Sequence, residues 1–220
     1  MYTFVFFDLD GTLTDSKEGV MNCARHAIAA LGDVPPGDEI LVKFVGPPLQ
    51  ESFRQFCGYS EEKCALAIRL FRERYAPVGQ FENRPAPGIR ELLERLRQRG
   101  VRTALASTKP ESLCVEICGR FGFSPFLEVI AGSPESGDNT KSAVLRSAMD
   151  RLGAGPGDLD RCLMVGDRKF DVEGARACGM DCVGVEFFGC AEPGELERAG
   201  ALTVVRTVEE LEHFLFSGGE

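Results

Sequence analysis

The chain has 220 residues, enough to bury a sizeable core without disulfides or structural metal, and sits between one large domain and two small ones. Hydrophobic residues make up 44% and charged residues 27%, a soluble globular composition rather than a disordered or fibrous one. With 34 acidic against 25 basic residues the formal net charge is -9, which argues against a surface built to neutralise nucleic-acid phosphates or anionic lipid. No nucleic-acid or membrane partner is therefore expected, and any anionic ligand has to be held locally.

Short apolar runs alternate with helical patterns, the signature of βαβ units around a parallel sheet. Strands are expected at 3–9, 101–107, 127–131, 162–166, 182–185 and 202–205; their apolar residues are contiguous, as suits strands covered on both faces. Between the first and second strands lie roughly ninety residues, where a crossover needs little more than a dozen, so this stretch reads as an inserted domain. In it Val20, Ala24, Ala27, Ile28 and Leu31 form one helical stripe before Gly32, and Cys64, Ile68, Phe71 and Tyr75 form another after a Ser60 cap. Proline pairs at 35–36 and 47–48 separate its helices, and the Pro- and Gly-rich stretch 76–87 returns the chain.

After that return, Pro87 and Gly88 open a helix carrying Ile89, Leu92, Leu93 and Leu96 on one face, with Gly100 past its end. Pro110 suits a first helical turn ahead of Leu113, Ile117 and Phe121. Thr207 with Glu210 reads as a capping box for the last helix, whose Val208, Leu211 and Leu215 face inward. The expected architecture is α/β: a doubly wound parallel-sheet core of residues 1–15 and 86–220, with an all-helical domain of residues 16–85 inserted after the first strand.

Ligands of open parallel sheets bind outside the carboxyl ends of the strands, and there the polar residues converge. The first strand ends in Asp8, Asp10, Gly11 and Thr12, the second in Ser107, Thr108 and Lys109, and the fourth in Gly166 and Asp167 with Asp171 beyond; Lys141 opens the helix after the third strand, behind a polar loop at 133–140. Asp8 and Asp10 are spaced by two, and Gly11 lets the chain turn so that the second carboxylate swings beside the first. Two such carboxylates need a cation between them, and oxygen-only ligands suit Mg²⁺, with Asp8, Asp10 and Asp167 as the acidic ligands. Metal, lysine and hydroxyl together make a phosphate site: Mg²⁺ and Lys141 neutralise the dianion, while Ser107, Thr108 and the turn at Gly11 and Thr12 bind its oxygens. Asp8 is the candidate nucleophile, forming an aspartyl-phosphate, and Asp10 the group that gives a proton to the leaving oxygen and takes one from the attacking water. Each residue alone fits a bland role, a cap or a solvated charge; four at the strand ends of one sheet do not.

These residues resemble the haloacid dehalogenase superfamily of phosphatases through four motifs: residues 8–15, residues 106–110, Thr140 with Lys141, and residues 166–171 with Gly174 and Ala175. The resemblance implies a Rossmann-like core, Asp8 as nucleophile, Asp10 as acid/base whose main-chain carbonyl also meets the metal, Asp167 as metal ligand, and Ser107 and Lys141 on the transferred phosphoryl group. It gives Asp171 a supporting place behind the metal site or Lys141. The family's dehalogenases lack an acid at the position of Asp10, so its presence implies phosphoryl transfer. The insert stands where phosphoglycolate phosphatase-like members carry a helical cap, and residues 44–49, 79–88 and 194–201 are similar to that group, including its 5′-nucleotidases.

The resemblance thus implies a Mg²⁺-dependent phosphatase of a small phosphorylated metabolite such as phosphoglycolate. A 5′-nucleotidase and a phosphomutase of the β-phosphoglucomutase type stand as alternatives, and a phosphoacceptor receiver domain as the non-enzyme one. A monomer or homodimer is expected. Nine irregularly spaced cysteines without a CxxC pair read as reduced small hydrophobes of a cytoplasmic protein rather than as metal ligands. No apolar stretch approaches a membrane span, and the amino terminus lacks the pattern of a secretory signal. His26 reads as an exposed helical side chain, and Lys17, Lys43 and Arg54 as solvated charges.

Overall fold

The computed structural model describes residues 2–134 and 137–217. Glu135 and Ser136 of the loop expected at 133–140 lie outside the described residues, as do residues 1 and 218–220 of the expected core. The chain divides into two compact units, Met1–Leu13 with Pro85–Glu220, and Thr14–Arg84. In chain order, β1 (Phe4–Phe7) is followed by β2 (Thr14–Asp15), α1 (Lys17–Ala30), α2 (Asp38–Leu41), α3 (Leu49–Cys57), α4 (Glu61–Tyr75) and β3 (Arg84–Pro85). Then come α5 (Ile89–Gln98), β4 (Arg102–Pro110), α6 (Glu111–Arg120), β5 (Val129–Ser133), α7 (Lys141–Leu152) and β6 (Cys162–Gly166). The chain closes with α8 (Lys169–Cys178), β7 (Asp181–Val185), α9 (Glu195–Ala199), β8 (Thr203–Val205) and α10 (Val208–Ser217).

The first unit is a six-stranded sheet in the order β5-β4-β1-β6-β7-β8, parallel at every pairing. Alternate residues of each strand face opposite layers, which is why its runs are apolar throughout. Val5 and Phe7 of β1 join Leu105, Leu163, Val165 and Val183 beneath α5, α6 and α10, while Phe4 and Phe6 join Ala104, Ala106, Cys162 and Met164 beneath α7 and α8. The chain steps from β1 to β4 and β5 on one side and to β6, β7 and β8 on the other, so the reversal lies at β1. Register pairs Phe7 with both Leu105 and Val165, which sets Asp8 level with Ala106 of β4 and with Gly166, the last residue of β6.

The second unit is helical apart from the short ribbon of β2 with β3 where the chain enters and leaves it. Val20, Cys23, Ala24, Ala27 and Ile28 of α1 are buried, as are Cys64, Ala67, Phe71 and Tyr75 of α4, whose start is capped by Ser60 Oγ accepting from the Lys63 N–H at 3.3 Å. Within this unit Arg74 reaches Glu82 with two nitrogens at 2.8 and 2.9 Å, and Asp33 accepts from Tyr59 Oη and Lys63 Nζ, both at 2.6 Å. His26 is exposed on α1.

Several expected boundaries move. β1 is shorter than 3–9, because the turn begins at Asp8, and β4 continues past Ser107 to Pro110 through an irregularity in its ladder with β5 between Ala106 and Pro110. β5 runs two residues later than 127–131 at each end. Pro110 is the cap preceding α6 rather than part of its first turn. Before α10, Thr207 Oγ1 accepts from Glu210 N–H at 3.1 Å, but the Glu210 carboxylate takes the N–H of Arg206 at 2.7 Å instead of closing on Thr207, so the box is skewed by one residue. All nine cysteines are free, and burial pushes the thiol of Cys118 up to about 12 and those of Cys114 and Cys182 well above the ordinary range. No helix among the described residues is long and apolar enough to cross a membrane.

Candidate active site

The site assembles at the carboxyl ends of β1, β4 and β6. The Asp8 N–H donates to Val165 O at 2.9 Å, which extends the β1–β6 ladder one residue past the strand and fixes where the Asp8 side chain leaves the sheet. Three residues later the chain turns at Gly11, whose φ of +85° L side chains rarely adopt, and a Cβ there would lie 2.0 Å from Asp167 Oδ2. Glycine is thus required for the turn and for the approach of Asp167. The next residue, Thr12, donates from Oγ1 to Asp167 Oδ1 at 3.4 Å.

Lys141 enters as the first residue of α7, whose start is capped by Thr140 Oγ1 accepting from the Ala143 N–H at 3.3 Å. Its ammonium lies 2.6 Å from Asp8 Oδ1, 2.6 Å from Asp171 Oδ1 and 2.9 Å from Ala106 O. Two glycines make room for this cluster: a Cβ on Gly174 would lie 2.6 Å from Lys141 Cγ, and one on Gly166 would lie 2.2 Å from Asp171 Cγ. Asp171 in turn accepts the Arg168 N–H on Oδ2 at 3.0 Å, so it both steadies the start of α8 and braces the lysine.

Carboxylate oxygens of Asp8, Asp167 and Asp171 lie within 4.8 Å of one another. Asp10, expected in this set, is not in it; its Oδ2 is held instead by Lys109 Nζ at 2.7 Å. Asp171, expected to support the metal site or Lys141, meets the lysine directly, and its carboxylate adjoins those of Asp8 and Asp167. Ser107 is buried at the end of β4, where its Oγ accepts the Lys109 N–H at 3.4 Å, and the neighbouring Thr108 carbonyl accepts from Ser133 Oγ at 2.7 Å.

The electrostatics follow from burial. Burial pushes Asp8 up to about 6, with Asp171 and Asp10 adding to the rise and Lys141 pulling against it. Burial, then the charges of Asp171 and Asp8, hold Asp167 well above the usual carboxylate range. Burial works against the charge on Lys141, but Asp171 and Asp8 outweigh it and hold its pKa up. Of the four buried carboxylates, Asp10 is paired with Lys109 and Asp8 and Asp171 share Lys141, while Asp167 Oδ2 is buried with no hydrogen-bond partner among the described residues. An orphaned carboxylate oxygen in an all-oxygen set short of positive charge is what a hard divalent cation would satisfy.

Two pairings were not legible in the sequence. Lys109 on Asp10 had one signal, its spacing of two from Ser107 along an extended strand. The buried pair of Arg168 with Glu195 had none: Arg168 Nε donates to Glu195 Oε1 at 2.9 Å, and the same oxygen accepts the Lys169 N–H at 3.0 Å. This pair spans 27 positions and keeps the guanidinium beside Asp167 neutralised.

A family model described as haloacid dehalogenase-like hydrolase matches residues 5–185. The chain belongs to that family. Within it the chain is 39% identical over 187 residues to the 5′-nucleotidase of Pseudomonas aeruginosa, covering 84% of this chain and 83% of that protein. It is 38% identical to the tyrosine-protein kinase PtkA of Mycobacterium tuberculosis, over 96% of this chain and 72% of that protein. The plasmid phosphoglycolate phosphatase of Cupriavidus necator is 29% identical over 95% of this chain and 91% of its own. Among solved structures, a predicted phosphatase from Clostridium acetobutylicum superposes with a TM-score of 0.92 at 34% identity, covering 99% of both chains. The family's phosphatase character and its α/β fold therefore apply to this chain, and the Asp8 strand end falls inside the matched segment.

Proposed function

We propose that the chain is a Mg²⁺-dependent phosphatase that hydrolyses a small phosphomonoester through an aspartyl-phosphate on Asp8, with a nucleoside monophosphate as the favoured substrate class. The observation that carries the reading is the Lys141 ammonium, 2.6 Å from both Asp8 and Asp171 beside the orphaned oxygen of Asp167. Mg²⁺ fits this donor set, held by Asp8 and Asp167 with Asp171 adjoining, and would supply the charge that draws a phosphate dianion into an acidic site.

The residues divide the work. Lys141 keeps Asp8 oriented and neutralises a phosphoryl oxygen, and Ser107 with the amides after Gly11 binds the others. A carboxylate oxygen of Asp8 attacks phosphorus as the ester P–O bond breaks, and Asp10 delivers a proton to the departing oxygen. Water then attacks the phosphoryl group, Asp10 takes its proton, and the bond to Asp8 breaks to release phosphate. Asp8→Asn is expected to abolish turnover of p-nitrophenyl phosphate while the circular dichroism spectrum stays that of the wild type; retained turnover would overturn the assignment.

The nucleotide reading draws on the relative at 39% identity, and the phosphoglycolate reading on one at 29%. A screen with Mg²⁺ across nucleoside monophosphates, phosphoglycolate and sugar phosphates separates them, and phosphate appearing on a sugar hydroxyl rather than free would point to a mutase. The similarity to PtkA adds one arm, ATP with a tyrosine peptide, where phosphotyrosine would redirect the reading. A small soluble metabolite of the cytoplasm suits the net charge of -9 and the nine free cysteines.

A further inference from the structure

We infer that Lys109 is a positioning residue for Asp10: its ammonium holds one carboxylate oxygen so that the other carries the proton to the leaving group. The inference rests on the acid/base reading of Asp10 given above.

Lys109 Nζ lies 2.7 Å from Asp10 Oδ2, with side-chain exposures of 10% and 13% for the two residues. Asp10 Oδ1 is buried and has no hydrogen-bond partner among the described residues. The two oxygens are therefore unequal. Oδ2 accepts from an ammonium whether or not Asp10 is protonated, which leaves Oδ1 as the oxygen that bears the proton, gives it to the departing oxygen and later recovers one from water.

The base of Lys109 is itself fixed from several sides. Its carbonyl accepts from Cys114 Sγ at 3.6 Å, and the preceding carbonyl, of Thr108, accepts from Ser133 Oγ at 2.7 Å. Gly132 on β5 allows the two backbones to meet, since a Cβ there would lie 2.4 Å from Glu111 Cα and 2.7 Å from Lys109 O; its N–H donates to Glu111 Oε2 at 3.1 Å. The ladder irregularity between Ala106 and Pro110 falls on this stretch, as expected where a strand end re-aims a side chain toward a site. A lysine anchored at its backbone and paired at its tip can hold a partner to the few tenths of an ångström that proton transfer requires.

The test compares two esters of nearly one shape, p-nitrophenyl phosphate and p-methylphenyl phosphate. The first leaving group departs as a stable anion, whereas the second, a phenol titrating at about 10 like the tyrosine side chain, needs a proton. The quantity read is the ratio of kcat/KM for the p-methylphenyl ester to that for the p-nitrophenyl ester, because kcat/KM runs through leaving-group departure and excludes the later water step. Both rates come from one preparation, so a partly misfolded variant does not disturb the ratio.

Lys109→Met is expected to lower the ratio about tenfold or more, a loss within the range of general acid catalysis, with Lys109→Arg close to wild type. An equal fall on both esters, as for a lysine that binds phosphate or only stabilises the fold, overturns the inference, and so does no fall. Asp10→Asn separates the two levels. If it lowers the ratio and Lys109→Met does not, the role of Lys109 alone is overturned. If Asp10→Asn leaves the ratio unchanged, the acid reading of Asp10 is itself wrong.

Discussion

Lys141 joins elements that are far apart in sequence, touching Asp8 at the end of β1, Ala106 O in β4 and Asp171 in the first turn of α8. Removing it leaves carboxylates uncompensated in a buried site, which costs more than the pair itself contributes when intact. Lys141→Met is expected to lose activity and to lower unfolding free energy by about 3–5 kcal/mol in urea titration, the range for breaking a buried ion pair; a loss near zero would mean that the site is wetter than its burial implies. At this scale residue type at a strand end or helix start pointed to Asp8, Asp167 and Lys141, which the fold brings into one buried cluster. The sequence was silent where the answer depends on where a long side chain ends. Two contacts went unread for that reason: Lys109 claims the Asp10 carboxylate, and the small Gly166 admits Asp171 against Lys141.

Elements were legible in proportion to their regularity. β6 matches its expected bounds because Cys162–Gly166 is apolar to the edge of the turn, and α5 begins after Gly88 as its stripe requires. β4 overran its expectation because pairing with β5 resumes at Ser133 after the irregular stretch, and such long-range pairing leaves no local pattern. The glycines show how element packing becomes chemistry. Gly166→Ala would thrust a methyl group to 2.2 Å from Asp171 Cγ, and Gly174→Ala to 2.6 Å from Lys141 Cγ. Both variants are expected to displace the Lys141–Asp171 pair, so their activity should fall at least tenfold, by order of magnitude of a misplaced catalytic group, on soluble, folded protein. Wild-type rates from folded Gly174→Ala would show that the lysine tolerates the shift. In the layers, Phe7→Ala removes a fully buried ring from β1 and is expected to cost about 3–5 kcal/mol, read as a lower denaturation midpoint.

For the molecule as a whole, a net charge of -9 and an anionic ligand are compatible because the acidic residues at the strand ends create the demand for a cation. Proton linkage gives this a sign. In the metal-free fold Asp8 titrates at about 6, above its ordinary 3.8, so the fold binds that proton more tightly than the unfolded chain does. Stability from this group is present at low pH and lost as pH rises through about 6. Mg²⁺ competes with the proton, so its stabilising effect should grow across the same window: thermal melts at one fixed Mg²⁺ concentration, about a hundredfold above the Kd at pH 7.5, should show about 2.7 kcal/mol of stabilisation at pH 7.5 and much less at pH 5. A Mg²⁺ effect independent of pH would place the ion away from Asp8. The chain passes between its two compact units after Leu13 and again after Arg84, within the long connection from β1 to β4; the β2–β3 ribbon there was not legible, since two-residue strands carry no period.

The central claim is that Asp8 is covalently phosphorylated, and acid-quenched turnover followed by borohydride reduction and peptide mass spectrometry tests it most directly. Reduction of an aspartyl-phosphate yields homoserine, and the account predicts that conversion at position 8 alone, dependent on substrate and Mg²⁺. Substrate turnover with residue 8 unchanged, or homoserine at another aspartate, would contradict it.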